Sequence, residues 1–335
     1  LRPGLPRMRM LAGLAAWIAR TLAVILVIAS LNFALVHAAP GDPAQVIAGQ
    51  SGASDETLLR QLRAEYGLDQ PYAVQLATYL GRVLRLDLGY SYRQQRPVLG
   101  LVLERLPATL LLTGTAFALA LGFGILLGTL SGVRAGRWSD TLIGLVALVL
   151  YAMPVFWLGL MLVLVFSVQL EWLPAFGYRS VGATFSPLGQ VGDVLAHLVL
   201  PAVSLAAVYL AVYARLMRTA IVEVAAQDYV KTARAKGLTR GRVIRDHMIR
   251  NAILPVVTVA GMQAGALVGG SVVVETVFAW PGLGRLVFEA LNQRDYPVLL
   301  GLFLVMSVLV ILINMLTDLL ARLIDPRIAA SARAT

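Results

Sequence analysis

Six stretches of this chain run for more than twenty residues without one Asp, Glu, Lys or Arg. No soluble fold hides that much uninterrupted apolar chain, whereas each stretch matches the roughly 20 residues that carry a helix across a hydrocarbon core. They lie between Arg20 and Asp42 (21 residues), Arg105 and Arg134 (28), Asp140 and Glu171 (30), Asp193 and Arg215 (21), Arg250 and Glu275 (24), and Asp295 and Asp318 (22). Charged residues make up 14% of the chain, against roughly 25% in a soluble domain. The fold class is therefore an all-α integral membrane protein with six transmembrane helices. The first run does not read as a signal peptide: it is too long for an h-region and ends in Pro40-Gly41-Asp42-Pro43 instead of a small-residue cleavage site.

The basic residues set an orientation. Arg2, Arg7, Arg9 and Arg20 precede the first run with no acid among them, and Arg134 and Arg137 follow the second. Between the fourth and fifth runs stand nine basic residues (Arg215 to Arg250) against three acids, Glu223, Asp228 and Asp246, while the alternate loops are balanced. Both termini are thus expected in the cytoplasm. The chain divides into a cytoplasmic segment 1–20, a first span 21–39, an external segment 40–105, a five-helix core 106–320 carrying a cytoplasmic loop 218–250, and a cytoplasmic tail 321–335. Two short amphipathic helices are expected outside, over Ser54–Tyr66 and Pro71–Leu86, the second with Tyr72, Leu76, Tyr79, Leu80 and Val83 on one face. The net charge of +10 belongs to these loops and not to a nucleic-acid surface.

Small residues repeat at four-residue spacing in the second run (Gly124, Gly128, Gly132) and in the fifth (Gly261, Gly265, Gly269), which predicts close helix packing in lipid. Pro154, midway through the third run, is expected to kink that helix, and with Phe156, Trp157 and Gln263 it is a candidate for a gate or pathway. An ion-coupled carrier needs a titratable group inside the bilayer, and the span centres carry none. No phosphate-cradling G-x-x-x-x-G-K-[ST] loop exists, so the chain does not hydrolyse nucleotide itself. No catalytic constellation is found, the absence of cysteine excludes thiolate chemistry, and His37 and His197, far apart in sequence, read as structural and not as metal ligands.

The segment from Glu223 to Pro255 carries the most information. Val222, Ala226, Val230 and Ala233 fall at helical spacing, Gly237 supplies a stop, and Thr239 is placed to cap a second helix through Arg250. The loop reads as helix, turn, helix: a rigid, basic, apolar-ridged knob. It resembles the cytoplasmic "EAA" loop of type I ATP-binding-cassette importer permeases, in particular the peptide and nickel branch, in Thr232-Ala-Arg-Ala-Lys-Gly237-Leu238 and Arg250-Asn-Ala-Ile-Leu-Pro255. Lys231 stands where the general pattern has Glu, and the interval from Gly237 to Pro255 is longer, as in that branch. Further landmarks are Gly67-Leu-Asp-Gln-Pro71, Asp87-Leu-Gly89, Met153-Pro154-Val-Phe156-Trp157, the stretch Glu275 to Gly284, Arg294-Asp-Tyr-Pro297 and Asp325-Pro-Arg327.

The resemblance implies a multi-pass subunit of the bacterial inner membrane with the MetI-like permease fold. It pairs with a second homologous permease, two cytoplasmic ATPases that carry ATP and Mg, and a periplasmic or lipoprotein solute-binding protein. The chain itself would bind no cofactor. Tyr229, Thr232, Ala233, Arg234, Ala235, Lys236, Gly237, Leu238, Arg250, Asn251 and Pro255 would form the ATPase-coupling surface. Di- or oligopeptides are the first substrate class implied. Nickel and glutathione stay open, because Gln95-Arg-Pro-Val98, Glu171-Trp-Leu-Pro-Ala175 and Ala279-Trp-Pro281 look at least as much like nickel permeases. A stand-alone channel or ion-coupled carrier is the alternative from a different class.

Overall fold

A computed structural model describes residues 21–34, 69–91, 93–182 and 186–324. Its elements are α1 (Thr21–Ala34), α2 (Tyr72–Leu84), a two-residue hairpin β1 (Tyr90–Ser91) and β2 (Arg96–Pro97), α3 (Val98–Val133), α4 (Trp138–Ala152), α5 (Val155–Gln169), α6 (Pro187–Ala225), α7 (Asp228–Ala235), α8 (Arg240–Ala264), α9 (Ala266–Val277), α10 (Leu283–Gln293) and α11 (Tyr296–Ile324). Where they are described, the six apolar runs fall mainly on helix. Among the described residues α3, α6 and α11 are each long and apolar enough to cross a membrane, and the bent pairs α4/α5 and α8/α9 bring the number to five. The first run is described only over the shorter α1.

Pro154 does more than kink. Met153 (φ −75°, ψ 133°) and Pro154 (φ −59°, ψ 133°) are both extended, and α4 and α5 meet at 108°. Proline lacks the N–H of the helical ladder and pushes its predecessor out of the helical region, so the expected kink becomes a full break. The fifth run bends by 61° at Gly265, which keeps helical angles (φ −66°, ψ −32°).

Two compact units are distinguished: residues 1–106 with 286–311, and residues 107–285 with 312–335. Within the first, Ala29 of α1, Val83 of α2 and Leu304 of α11 form a small core, flanked by the Phe33–Tyr79 ring contact at 5.8 Å. The amphipathic helix expected over Pro71–Leu86 is α2, although Tyr72 at its start stays exposed; Ser54–Tyr66 lies outside the described residues. Asp295, buried ahead of α11, accepts a 2.5 Å hydrogen bond from Ser91 Oγ, and that hydroxyl accepts from the Gln94 N–H. Burial pushes the Asp295 carboxyl above its ordinary value, against the lowering pull of Ser91 and Val298 N–H and of the Arg93 charge.

Within the second unit α6 is the central post. Ser186 caps it by accepting from Gly189 N–H, with Pro187 in its first turn. In its most apolar 18-residue window 61% of residues are buried, against 28% for α3, and α4, α5, α8 and α9 all pack on it. The glycines of α3 set the closest approach. A Cβ on Gly124 would stand 2.7 Å from Tyr213 Cβ, one on Gly128 2.4 Å from the Ala214 carbonyl oxygen, and one on Gly132 2.7 Å from Ile221 Cβ. Gly261 and Gly269 of the fifth run do not act this way within the chain. Gly261 makes ordinary contact with Thr317 at 3.6 Å, Gly265 sits at the bend, and a Cβ on Gly269 would meet nothing within 4 Å.

Candidate functional site

The loop 218–250 continues directly from the central post. α6 ends at Ala225, Gln227 is extended, and α7 follows from Asp228. Val230 and Ala233 face inward and join a core with Val243 and Met248 of α8. The apolar ridge expected on the knob therefore seats the loop, and the outward surface is polar: Tyr229, Thr232, Arg234, Ala235 and Lys236 are exposed, Leu238 half-buried. Lys231 Nζ reaches Asp228 Oδ1 at 2.9 Å, both exposed, an ion pair of little energetic weight.

Gly237 turns the chain with φ +78°, a left-handed conformation for which glycine is suited, and nothing lies within 4 Å of where its Cβ would be. Glycine stands here for its backbone and not for space. Thr239 occupies the N-cap position of α8, yet its side chain makes no capping hydrogen bond, contrary to the sequence expectation. The second loop helix also does not stop at Arg250. α8 runs unbroken from Arg240 to Ala264, with Val243–Ile249 wound as a π-helix, so the loop's second helix and the first half of the fifth run are one rod. Arg250, Asn251 and Pro255 lie exposed along it, and Asn251 Nδ2 donates to the His247 carbonyl at 2.8 Å. A cavity of about 410 Å³ opens beneath the turn, lined among others by Val133, Arg234, Leu238, Arg240 and Val243.

The base of the loop is held by a clamp that the spacing of residues did not suggest. Arg218 of α6 forms a two-pronged ion pair with Asp140 of α4, Nε to Oδ1 at 2.6 Å and an η-nitrogen to Oδ2 at 2.8 Å. Ser131 Oγ of α3 donates to Asp140 Oδ1 at 2.5 Å, and Gly136 N–H, in a left-handed turn (φ +79°), to Oδ2 at 2.9 Å. One carboxylate thus ties α3, the following turn, α4 and α6 at the point where the loop leaves the post. Asp140 marked only the end of an apolar run in the sequence. Its value as a partner was signalled, if at all, by the arginine-rich loop that topology brings beside it.

A second carboxylate changes the reading of the spans. Glu275 is fully buried, although the sequence placed it simply at a span end. It accepts from Thr109 Oγ1 (2.8 Å) and Arg285 N–H (3.0 Å), with Ser271 Oγ at 3.2 Å sharing its proton with the closer Val268 carbonyl (2.8 Å), while Thr109 Oγ1 accepts from Leu283 N–H (2.7 Å). Trp280, also fully buried, donates to the Ala108 carbonyl and meets Tyr178 edge-on at 4.9 Å. A Cβ on Gly282 or Gly284 would fall 2.3 Å from Glu275 Oε2 or 2.5 Å from Val272 Cα. The Glu275-to-Gly284 landmark is a cage for one carboxylate at the N-terminus of α10, where helix N–H groups favour negative charge.

Of the pathway candidates, Phe156 and Trp157 are about half exposed at the start of α5, just after the Pro154 break, and Gln263 Oε1 is buried without a partner. The structure does not bring these four together into one described cavity. His197 is buried and its Nδ1 lies 2.8 Å from the Asp193 carbonyl oxygen, while His37 lies outside the described residues. No cluster of metal-ligating residues occurs among the described residues.

Residues 124–330 match the family described as "Binding-protein-dependent transport system inner membrane component", and residues 10–113 match its N-terminal counterpart. The chain belongs to this family. It is a multi-pass inner-membrane permease subunit of a binding-protein-dependent importer, a transport component and not an enzyme. It is 44% identical over 317 residues to the dipeptide transport system permease protein DppB of Escherichia coli K12, covering 89% of this chain and 93% of that protein. It is 43% identical to a putative peptide transport system permease protein of Brucella abortus (93% and 96% covered) and 38% identical to DppB of Alkalihalophilus pseudofirmus (89% and 93%). Among solved structures, the inward-facing MetNI methionine ABC transporter superposes with a TM-score of 0.53 at 20% identity, over 67% of this chain and 96% of that chain. That likeness identifies the permease's fold, and the six apolar runs are consistent with it.

Proposed function

We propose that this permease imports di- or oligopeptides. It pairs with a second, related permease, takes its cargo from an external solute-binding protein, and is driven by two cytoplasmic ATPases that hold the ATP and Mg; the chain carries no cofactor of its own. Both termini face the cytoplasm, which puts the 218–250 loop on the ATPase side, in accord with its eight basic residues. The observation that carries the coupling role is the continuity of the loop with two spans. α6 enters it and α8 leaves it as one rod to Ala264, so a push on the exposed face around Gly237 is delivered to the bilayer without a flexible joint. ATPase closure then rocks the two permeases between inward- and outward-facing states as rigid bodies.

The 38–44% identity to proteins named as dipeptide and peptide permeases supports peptides ahead of nickel or glutathione. Uptake of a labelled dipeptide and of nickel by a strain deleted for this gene tests the substrate: dipeptide uptake falls and nickel uptake is kept. Unchanged uptake of both removes this group of substrates. A channel or ion-coupled carrier would transport without ATPase, whereas the purified permease alone in liposomes is expected to concentrate nothing.

A further inference from the structure

A cavity of about 450 Å³ opens between α4, α6 and α8, lined among others by Tyr151, Val212, Arg215, Leu216, Thr219 and Val259. Its size lies within the about 300–1,000 Å³ of ligand pockets, and its walls are mostly apolar with a few polar groups, as such pockets are. Arg215 is the only charged residue on it. It is not at the end of its helix: α6 continues for nearly three turns, about 15 Å, to Ala225. Tyr151 lies about three turns along α4 from Asp140, and Val259 two and a half turns along α8 from Arg250. The cavity thus extends inward from the charged loop ends into the apolar part of the helices.

Among the described residues the Arg215 guanidinium has no acidic or hydrogen-bond partner, in contrast with Arg218 one turn further on, and the Tyr151 hydroxyl has none either. One turn beyond Val259 on α8, Gln263 Oε1 is buried and unpaired. Arg215 and Tyr151 are both exposed on the cavity wall, so the guanidinium and the hydroxyl are open to a partner from outside the chain.

We propose that this cavity is a transit subsite for the cargo, in which Arg215 receives the C-terminal carboxylate of a peptide. The inference rests on the peptide reading above and adds the chemical group that is recognised. The planar guanidinium forms two parallel hydrogen bonds to a carboxylate. The Tyr151 hydroxyl is a further donor, and the peptide's side chains lie against Val212, Leu216 and Val259. A cationic cargo such as a free metal ion is repelled by the same residue.

The test uses the assembled transporter, purified in detergent through a tag on this chain, with the solute-binding protein omitted. Binding of radiolabelled alanyl-alanine is compared with that of its C-terminal amide, for the native protein, R215Q and R215K. The native complex is expected to bind the acid about 10- to 100-fold more tightly than the amide, the range set by a hydrogen-bonded charge. R215Q removes that difference by weakening the acid alone, and R215K keeps part of it. Equal binding of acid and amide by the native complex, no binding of either, or an R215Q complex that still prefers the acid overturns the subsite; so does an R215Q complex altered only in its co-purified anionic lipid. The acid-to-amide comparison needs no variant, so a poorly folded R215Q does not blunt the test. Cells that import dipeptide while the purified complex shows no acid preference lose the subsite and keep the peptide importer. Cells that do not import dipeptide lose the importer reading itself.

Discussion

Replacing Gly128 by alanine adds one methyl group where α3 lies against α6. The new Cβ would stand 2.4 Å from the Ala214 carbonyl oxygen and 2.6 Å from Met217 Cβ, both rigid parts of α6 and inside the 3.0 Å that real Cβ atoms keep. Relief requires the helices to separate by about 1 Å, and a gap of that size forfeits roughly a quarter to a half of the dispersion energy of each contact it opens, those at Gly124 and Gly132 included. Gly122, on the same helix, has nothing within 4 Å of its Cβ position. Both substitutions share the gain of about 1 kcal/mol that alanine has over glycine in a helix, so their difference isolates the clash, at about 1–3 kcal/mol. Unfolding of the detergent-solubilised chain, followed by far-UV circular dichroism during titration with a denaturing detergent, reads that difference. G122A is expected to match or exceed the native protein, and G128A to unfold at distinctly lower denaturant. A G128A chain as stable as G122A would mean that α3 does not approach α6 through its glycines.

Further predictions concern the loop, the cage and Asp295. At Gly237 the φ of +78° disfavours any β-branched residue; G237V is expected to insert normally but to lose ATPase co-purification or ATP-driven uptake, G237N to keep most of both, and full uptake with G237V to argue against the turn. R234E, which reverses an exposed charge on the proposed ATPase-facing side, is expected to weaken ATPase co-purification while leaving membrane levels unchanged. E275A strands the Thr109 hydroxyl and the Arg285 N–H in a buried site, while Ser271 keeps its bond to the Val268 carbonyl, each loss at about 1–3 kcal/mol; membrane levels of the subunit, read by immunoblot, should collapse, with E275Q intermediate. Because the Asp295 carboxyl is raised in the folded protein, its contribution to stability is fully present below its unfolded value and is lost as pH rises through the folded one. D295N should remove that part of the pH dependence in a denaturant titration, and an unchanged profile would assign it to other groups.

Much of the fold was legible in the residue order because the bilayer makes simple demands: apolar length, satisfied backbone and basic cytoplasmic loops each leave a one-dimensional trace. The helix-turn-helix of the loop was legible for a local reason, since Gly237 interrupts two helical patterns where the backbone goes left-handed. Two extrapolations of local rules failed. Thr239 has the chemistry of a cap but makes no capping bond, and Arg250 stands at the start of an apolar run without ending the helix before it. Charge composition marks where lipid ends, and a helix is indifferent to that boundary.

What the sequence by itself determined was the class of protein, its apolar spans and the helix-turn-helix of the basic loop, since these depend on properties that neighbours in the chain share. Tertiary structure alone decided which glycines touch another helix, that Asp140 answers Arg218 across 78 positions, that Glu275 is enclosed by Thr109 and the start of α10, and that Arg215 is left without a partner beside a cavity. Hydrogen bonds and close contacts join residues far apart in sequence, and in an apolar medium a charge is stable only where such long-range partners meet it.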